Sequence, residues 1–150
     1  MSRGKTIENI LFQQITKPQS FTTSTTVLYN GVAATTISYI DCQGFDEVII
    51  VLNKGTFAAT SMASFGVYAD DNTDPEAATL VTGASFTDVT ASNDDAIEVI
   101  SVQCKDIGRY VWLKSDKTDD VNTAAVWSAT AILCKPGAGP TATTLVKADV

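Results

Sequence analysis

The chain has 150 residues, enough for one domain with a sizeable core, and 45% of them are apolar, an ordinary share for a globular protein. Charged residues make up only 18%, against a usual ~25%, and Thr, Ser, Ala, Val and Asn take their place. The net charge of −7 has no Lys/Arg cluster to offset it, which argues against a direct nucleic-acid partner or an anionic membrane.

The charge either keeps the protein soluble or complements a basic docking surface. Thr and Val are branched at Cβ and suit a pleated surface, so the composition leans towards strands. No apolar run approaches the ~18 residues of a membrane span. The start of the chain, through Ile7-Glu8-Asn9-Ile10-Leu11-Phe12, is too interrupted by charge for a signal-peptide core, so production in cytoplasm is expected.

In chain order, residues 1–20 read as an N-terminal arm. Its Ile7, Ile10, Leu11 and Ile15 lie on one side of a helix or alternate in a strand. The arm either reaches a neighbour or packs as a first strand on its own domain. Thr22–Tyr29 has strand composition and stops at the turn signal Asn30-Gly31. Thr35–Asp41 ends at Gln43-Gly44, and Phe45–Leu52 ends at Asn53-Lys54-Gly55. The short connection through Gly44 predicts an antiparallel hairpin between these two runs. Val48, Ile50 and Leu52 face one way and Ile49 and Val51 the other, so a central strand buried on both faces is expected.

Ser64–Ala69 is the next strand, with Phe65, Val67 and Ala69 inward. An acidic loop follows at Asp70–Glu76, where Pro75 rules out a central strand. Ala77–Gly83 leads to a short strand over Ser85–Val89, and Ala91–Asp95 is a polar turn. Ala96–Cys104 and Arg109–Ser115 are strands joined through Asp106-Ile107-Gly108. After the polar Asp116–Asp120, the Ala-rich run Thr123–Cys134 has helical propensity, but its Val-Trp-Ser-Ala-Thr-Ala-Ile alternation favours a strand. Pro136–Pro140 breaks the chain, and a tail with strand character at Thr143–Val146 follows. Turn signals every 8–12 residues are the signature of a sandwich, jelly roll or barrel. The expected fold is an antiparallel β-sandwich of jelly-roll type with about eight strands over residues 21–135, an extended arm at 1–20 and a tail at 136–150.

Chemistry is sparse. The chain has no His, which removes every Ser-His-Asp, Cys-His and His-metal arrangement. The acidic pairs Asp70/Asp71, Asp94/Asp95 and Asp119/Asp120 fall in predicted turns, not across a cleft as a glycosidase needs. Asp70-x-Asn72-x-Asp74 begins like an EF-hand loop, but Pro75 stands where Gly is required and Val81 where the bidentate Glu is required. A looser calcium loop on Asp70, Asp71, Asn72 and Asp74 is the only metal arrangement the spacing allows. Cys42, Cys104 and Cys134 form no disulfide or zinc pattern and read as small buried hydrophobes near strand ends. Trp112, Trp127, Tyr110 and Phe65 read as core residues; a sugar platform would need them coplanar and exposed. No catalytic, cofactor-binding or metal residue is expected, and the chain reads as non-enzymatic.

Tyr39–Thr56 resembles a segment of small virion proteins of tailed bacteriophages, in which an acidic residue and Gly precede an aromatic-Asp-Glu and an apolar strand ending in Asn-x-Gly. The downstream order is similar to theirs through Asp70-Asp71, Ala84–Thr87, Asn93-Asp94 and Arg109-Tyr110-Val111. The resemblance covers roughly residues 35–135 and extends to capsid decoration, or cement, proteins of jelly-roll type. It implies a virion protein, made in the host cytoplasm, that sits on the capsid exterior and bridges subunits of the major capsid protein. Self-association as a dimer or trimer would give each unit several attachments. The arm residues Ile7, Ile10, Leu11, Phe12 and Ile15 are then the expected partner contacts, and removing residues 1–20 is expected to leave the domain folded. A tail- or fibre-associated β-domain and a carbohydrate-binding module are the alternatives.

Overall fold

A computed structural model of the chain describes residues 10–21, 27–28, 39–57, 62–117, 125–135 and 146–148. It is an antiparallel, jelly-roll-like β-sandwich. One sheet has five strands in the order β1 (Ile10–Phe21), β10 (Ala125–Cys134), β4 (Glu47–Phe57), β8 (Ile97–Gln103) and β11 (Val146–Ala148). The other is built on β2 (Val27–Leu28), β9 (Tyr110–Lys117), β5 (Met62–Asp70) and β6 (Thr79–Ser85), with β3 (Ile40–Asp41) beside β9 and β7 (Val89–Thr90) beside β5. The Ala-rich run is the strand its alternation predicts: Trp127, Ala129, Ala131 and Leu133 are buried and the residues between them are half-buried. Phe65, Val67 and Ala69 of β5 point inward as expected.

β4 is central, with β10 and β8 on its two sides, and its Val48, Ile50 and Leu52 are completely buried between the sheets. Burying each such side chain stabilises the fold by roughly 1.5–3 kcal/mol. The opposite face departs from expectation: Ile49 and Val51 are only half-buried and Asn53 is exposed. Adjacent Ile and Val side chains on that face shelter one another across strands, which lowers their exposure without enclosing them.

The expected hairpin does not form. Ile40 and Asp41 pair with Val111 and Tyr110 of β9, in the sheet opposite β4. Phe45 N–H donates to Cys42 C=O at 3.1 Å, and Gly44 has φ +82, the left-handed conformation that this turn position requires. The turn carries the chain from one sheet to the other. The same local residues suit a hairpin or a corner, and here the long-range partners of β4 decide between them. β6 also differs, covering Thr79–Ser85 straight through Gly83, whose φ of +77 and bulged register let the strand bend.

Residues 10–21 take the second of the two arrangements open to the arm, a first strand on their own domain. β1 runs antiparallel along β10 from Ile10 opposite Cys134 to Phe21 opposite Ala125. Removing residues 1–20 would therefore strip a strand from the sheet and expose β10, so the expectation of an intact domain is corrected. In the C-terminal tail, Val146–Ala148 pair with Val99–Ile97 of β8. Ile7, most of the Thr22–Tyr29 run, Thr35–Ser38, Asp119/Asp120 and Thr143–Leu145 lie outside the described residues.

At one end of the sandwich, the buried Lys54 ammonium sits 3.1 Å from Glu98 Oε1, and Thr87 N–H donates to Glu98 Oε2 at 3.0 Å. Removing one partner leaves an uncompensated buried charge, so Lys54→Ala is expected to lose about 3–5 kcal/mol in urea unfolding. The double replacement Lys54→Met with Glu98→Leu should recover most of that loss. Recovery in the single Ala variant alone would show that the pair does not hold the sheet end.

Candidate functional site

Three features of the fold are candidate sites: the β1 edge, the seam between β6 and β8, and the cysteine corner. β1 carries the expected contact residues. Ile15 is buried against the core, and Ile10 is half-buried. Leu11 is 50% exposed and Phe12 66%, the two highest values among large hydrophobic side chains in the described residues. Gln13 Nε2 donates to Tyr39 C=O at 3.2 Å, tying the inner side of β1 to the other sheet. The cross-strand register lines up Phe12, Ile132 of β10 and Ile49 of β4 in one row across the outer face, and then Ser101 of β8. The next row is Gln14, Thr130, Val51 and Val99. Neither row contains a charge. Sequence reasoning singled out Leu11 and Phe12, but it missed the row, because Ile132 and Ile49 meet Phe12 only through pairing of distant strands.

A third row ends at Glu47 and Gln103. Glu47 is 2% exposed, although it lies on the outward side of β4. Ser101 Oγ donates to its Oε1, while Glu47 Oε2 and Gln103 Nε2 have no hydrogen-bond partner among the described residues. These are the polar groups that such a row can hide only by packing neighbours over them.

A cleft of about 660 Å³ opens at the seam where β6 and β8 lie at the same side of the sandwich. Leu80 and Val81 line it from β6, Ile100 to Gln103 from β8, and Lys105, Asp106 and Ile107 close one end. Of its lining residues, Ser101 is the one whose hydroxyl is held by the Glu47 carboxylate. Gly108 fits here only because it lacks a side chain: a Cβ would collide with the Asp70 backbone. The acidic loop beside it spends its carboxylates on backbone donors. Asp70 Oδ1 accepts from Asn72 N at 2.7 Å, Asp71 Oδ1 from Arg109 N at 3.1 Å, and Asp74 Oδ1 from Glu76 N at 3.0 Å. Asp70 and Asp74 cap their own turns, Asp71 reaches across to the start of β9, and the three do not converge. Among the described residues, no group of three Cys, Asp or Glu side chains is arranged to hold a metal ion. Asp94 Oδ2 likewise accepts from Phe57 N at 2.8 Å.

The aromatic residues pack edge-on. Phe65 and Trp127 have centroids 4.9 Å apart at 76°, and Tyr39 meets Tyr110 at 4.7 Å and 69°. Trp112 and Trp127 are 0% and 3% exposed, so neither offers a face to a sugar. On the same sheet Arg109 forks onto Asp41, Nε to Oδ1 at 2.9 Å and Nη2 to Oδ2 at 2.7 Å. The guanidinium holds the Asp41 carboxyl below its usual range. Lys114 lies 4.4 Å over the Tyr68 ring, and its partial burial lowers its ammonium pKa.

The fold brings the cysteines into one corner. Phe45 N–H donates to Cys42 C=O, Asp46 N–H to Cys134 C=O at 2.9 Å, and Cys104 N–H to Asp46 C=O at 2.8 Å. Cys42 and Cys134 are buried, as expected, and Cys104 is half-buried; all three are free thiols. The neighbouring Cys104 pushes the Cys42 thiol up, and burial adds to it. Cys42 in turn holds Cys104 below the usual thiol range, and burial pushes Cys134 up. Thiolate is the reacting form. Cys104 is therefore expected to take up iodoacetamide first at neutral pH, and Cys42→Ala to slow it. Equal labelling of all three in a peptide map would contradict this geometry.

Comparison with protein-family models, with curated proteins and with solved structures finds no match. What is established is the class, an all-β antiparallel sandwich.

Proposed function

We propose that this chain is a non-enzymatic virion structural protein that binds the outer surface of a phage capsid and stabilises contacts between major capsid protein subunits. The observation that carries the reading is β1, which ends its sheet among the described residues, with Leu11 and Phe12 exposed and no charge from Ile10 to Thr16. Exposed apolar side chains on a sheet edge are contact surface, and they add about 25 cal/mol per Å² buried before ordering costs. The virion-like segment Tyr39–Thr56 supports the reading from another direction, because it forms the corner and the central strand. A two-layer sandwich with its tryptophans in the interior suits a load-bearing part better than a sugar-binding one.

The test is co-sedimentation of the purified protein with emptied and full capsids of its source particle, at low and high salt. Saturable binding at a fixed ratio to the capsid subunit is expected. Attachment to a basic surface would weaken as salt rises, because screening shortens the reach of the −7 charge. Absence of binding to both capsid forms would overturn decoration and favour a tail-associated role. Gly108→Ala, with its backbone collision, should lower stability by roughly 1–3 kcal/mol and reduce capsid binding only through unfolding. A thermal melt run beside the sedimentation separates the two effects.

A further inference from the structure

We infer that the first half of β1, Ile10–Gln14, is a docking edge for a second copy of this chain, which adds its own β1 antiparallel so that one sheet runs through both molecules. The inference deepens the reading of β1 as a contact surface and does not need a capsid.

Edge strands invite pairing, and proteins protect them with shortness, bulges, charge and proline. Among the described residues, β2 and β11 are protected by length, at two and three residues. β6 is bent through Gly83 at φ +77. The second half of β1 carries Lys17 and Pro18, and its register shifts between Gln14 and Thr16 and again between Thr16 and Gln19. The first half has none of these devices. From Ile10 to Gln14 the register against β10 is unbroken, and no other described strand lies on the far side.

The occupant follows from charge and symmetry. Each chain carries −7, so two copies repel unless they meet through an uncharged surface. Ile10-Leu11-Phe12-Gln13-Gln14 is uncharged, and of the three rows behind it on the outer face only the Ile10 row holds a charge, the buried Glu47. A basic partner would find nothing to pair with there. An antiparallel strand pair is also its own mirror in function: a two-fold axis presents the same five residues to themselves, which closes the assembly at two. Docking would cover Phe12 and extend the row Phe12–Ile132–Ile49 into the second molecule.

The test is the mass of the isolated wild-type protein by light scattering over a dilution series. A species of twice 15.9 kDa that dissociates on dilution is expected. Phe12→Glu should weaken association by more than ~10-fold, since it replaces buried apolar area with paired like charges. Leu80→Glu, on the exposed edge of β6, should leave it unchanged. Hydrogen exchange on the wild type gives a second readout: amides of Ile10–Gln14 should lose protection on dilution while those of β4 keep theirs. A monomer at every concentration, a mass of three or more chains, or a dimer indifferent to Phe12→Glu would each overturn the inference. None of these outcomes depends on capsid binding, so its failure and that of decoration are distinguishable.

Discussion

The side chains of β4 alternate between two environments, and the register of that strand constrains everything around it. Val48, Ile50 and Leu52 have no exposure, and their row continues into the buried Lys54. A slip of one residue would turn Glu47, Ile49, Val51 and Asn53 inward and send the inner row to the surface. Polar groups fix both ends of the strand: Lys54 against Glu98 at one end, Glu47 against Ser101 at the other. Buried ion pairs contribute little net stability over apolar residues, but a slipped register would pull Lys54 away from the buried Glu98 and turn Glu47 into the core without Ser101. The apolar row drives burial, and the polar ends select one register from those that burial would tolerate.

Much of this was legible in the sequence, and what was missed has a common cause. β5, β8, β9 and β10 were visible because period-two alternation is a local signal, and even the Ala-rich β10 followed it. The corner at Gly44 was misread because a glycine turn looks the same whether it joins two strands of one sheet or crosses between sheets. The half-burial of Ile49 and Val51 was misread for a related reason: apolar residues on both faces of a strand do not say whether a second layer covers each face. The cysteines gave no spacing pattern, yet Asp46 ties all three backbones into one corner through two hydrogen bonds of its own and a third from Phe45. Such convergence comes from topology, which no local pattern carries.

The two outer faces differ in a way that bears on function. Around β9 and β5 the outward groups are partly charged and engaged with one another, as in the Arg109 fork onto Asp41 and Lys114 over Tyr68. Across β1, β10 and β4 the rows through Phe12 and Gln14 carry no charge, and the row through Ile10 carries only the buried Glu47. A surface Arg–carboxylate pair is worth little to stability, ~0.2–1 kcal/mol, so on the first face Arg109 and Asp41 serve mainly as solvated polar groups. The second spends apolar area on a surface where solubility alone would place charges.

That asymmetry connects the edge to the proposed role. A protein that holds a lattice together gains little from one tight contact and much from several modest ones, because a linked second attachment becomes intramolecular. Pairing through a sheet edge is an economical way to link copies, since the main chain supplies the complementarity and only a few side chains need to be apolar. The protecting devices on β2, β6, β11 and the second half of β1 then matter as much as the open stretch does. Among the described strands, those devices leave the first half of β1 as the edge stretch that carries none of them, so pairing there would fix a single geometry.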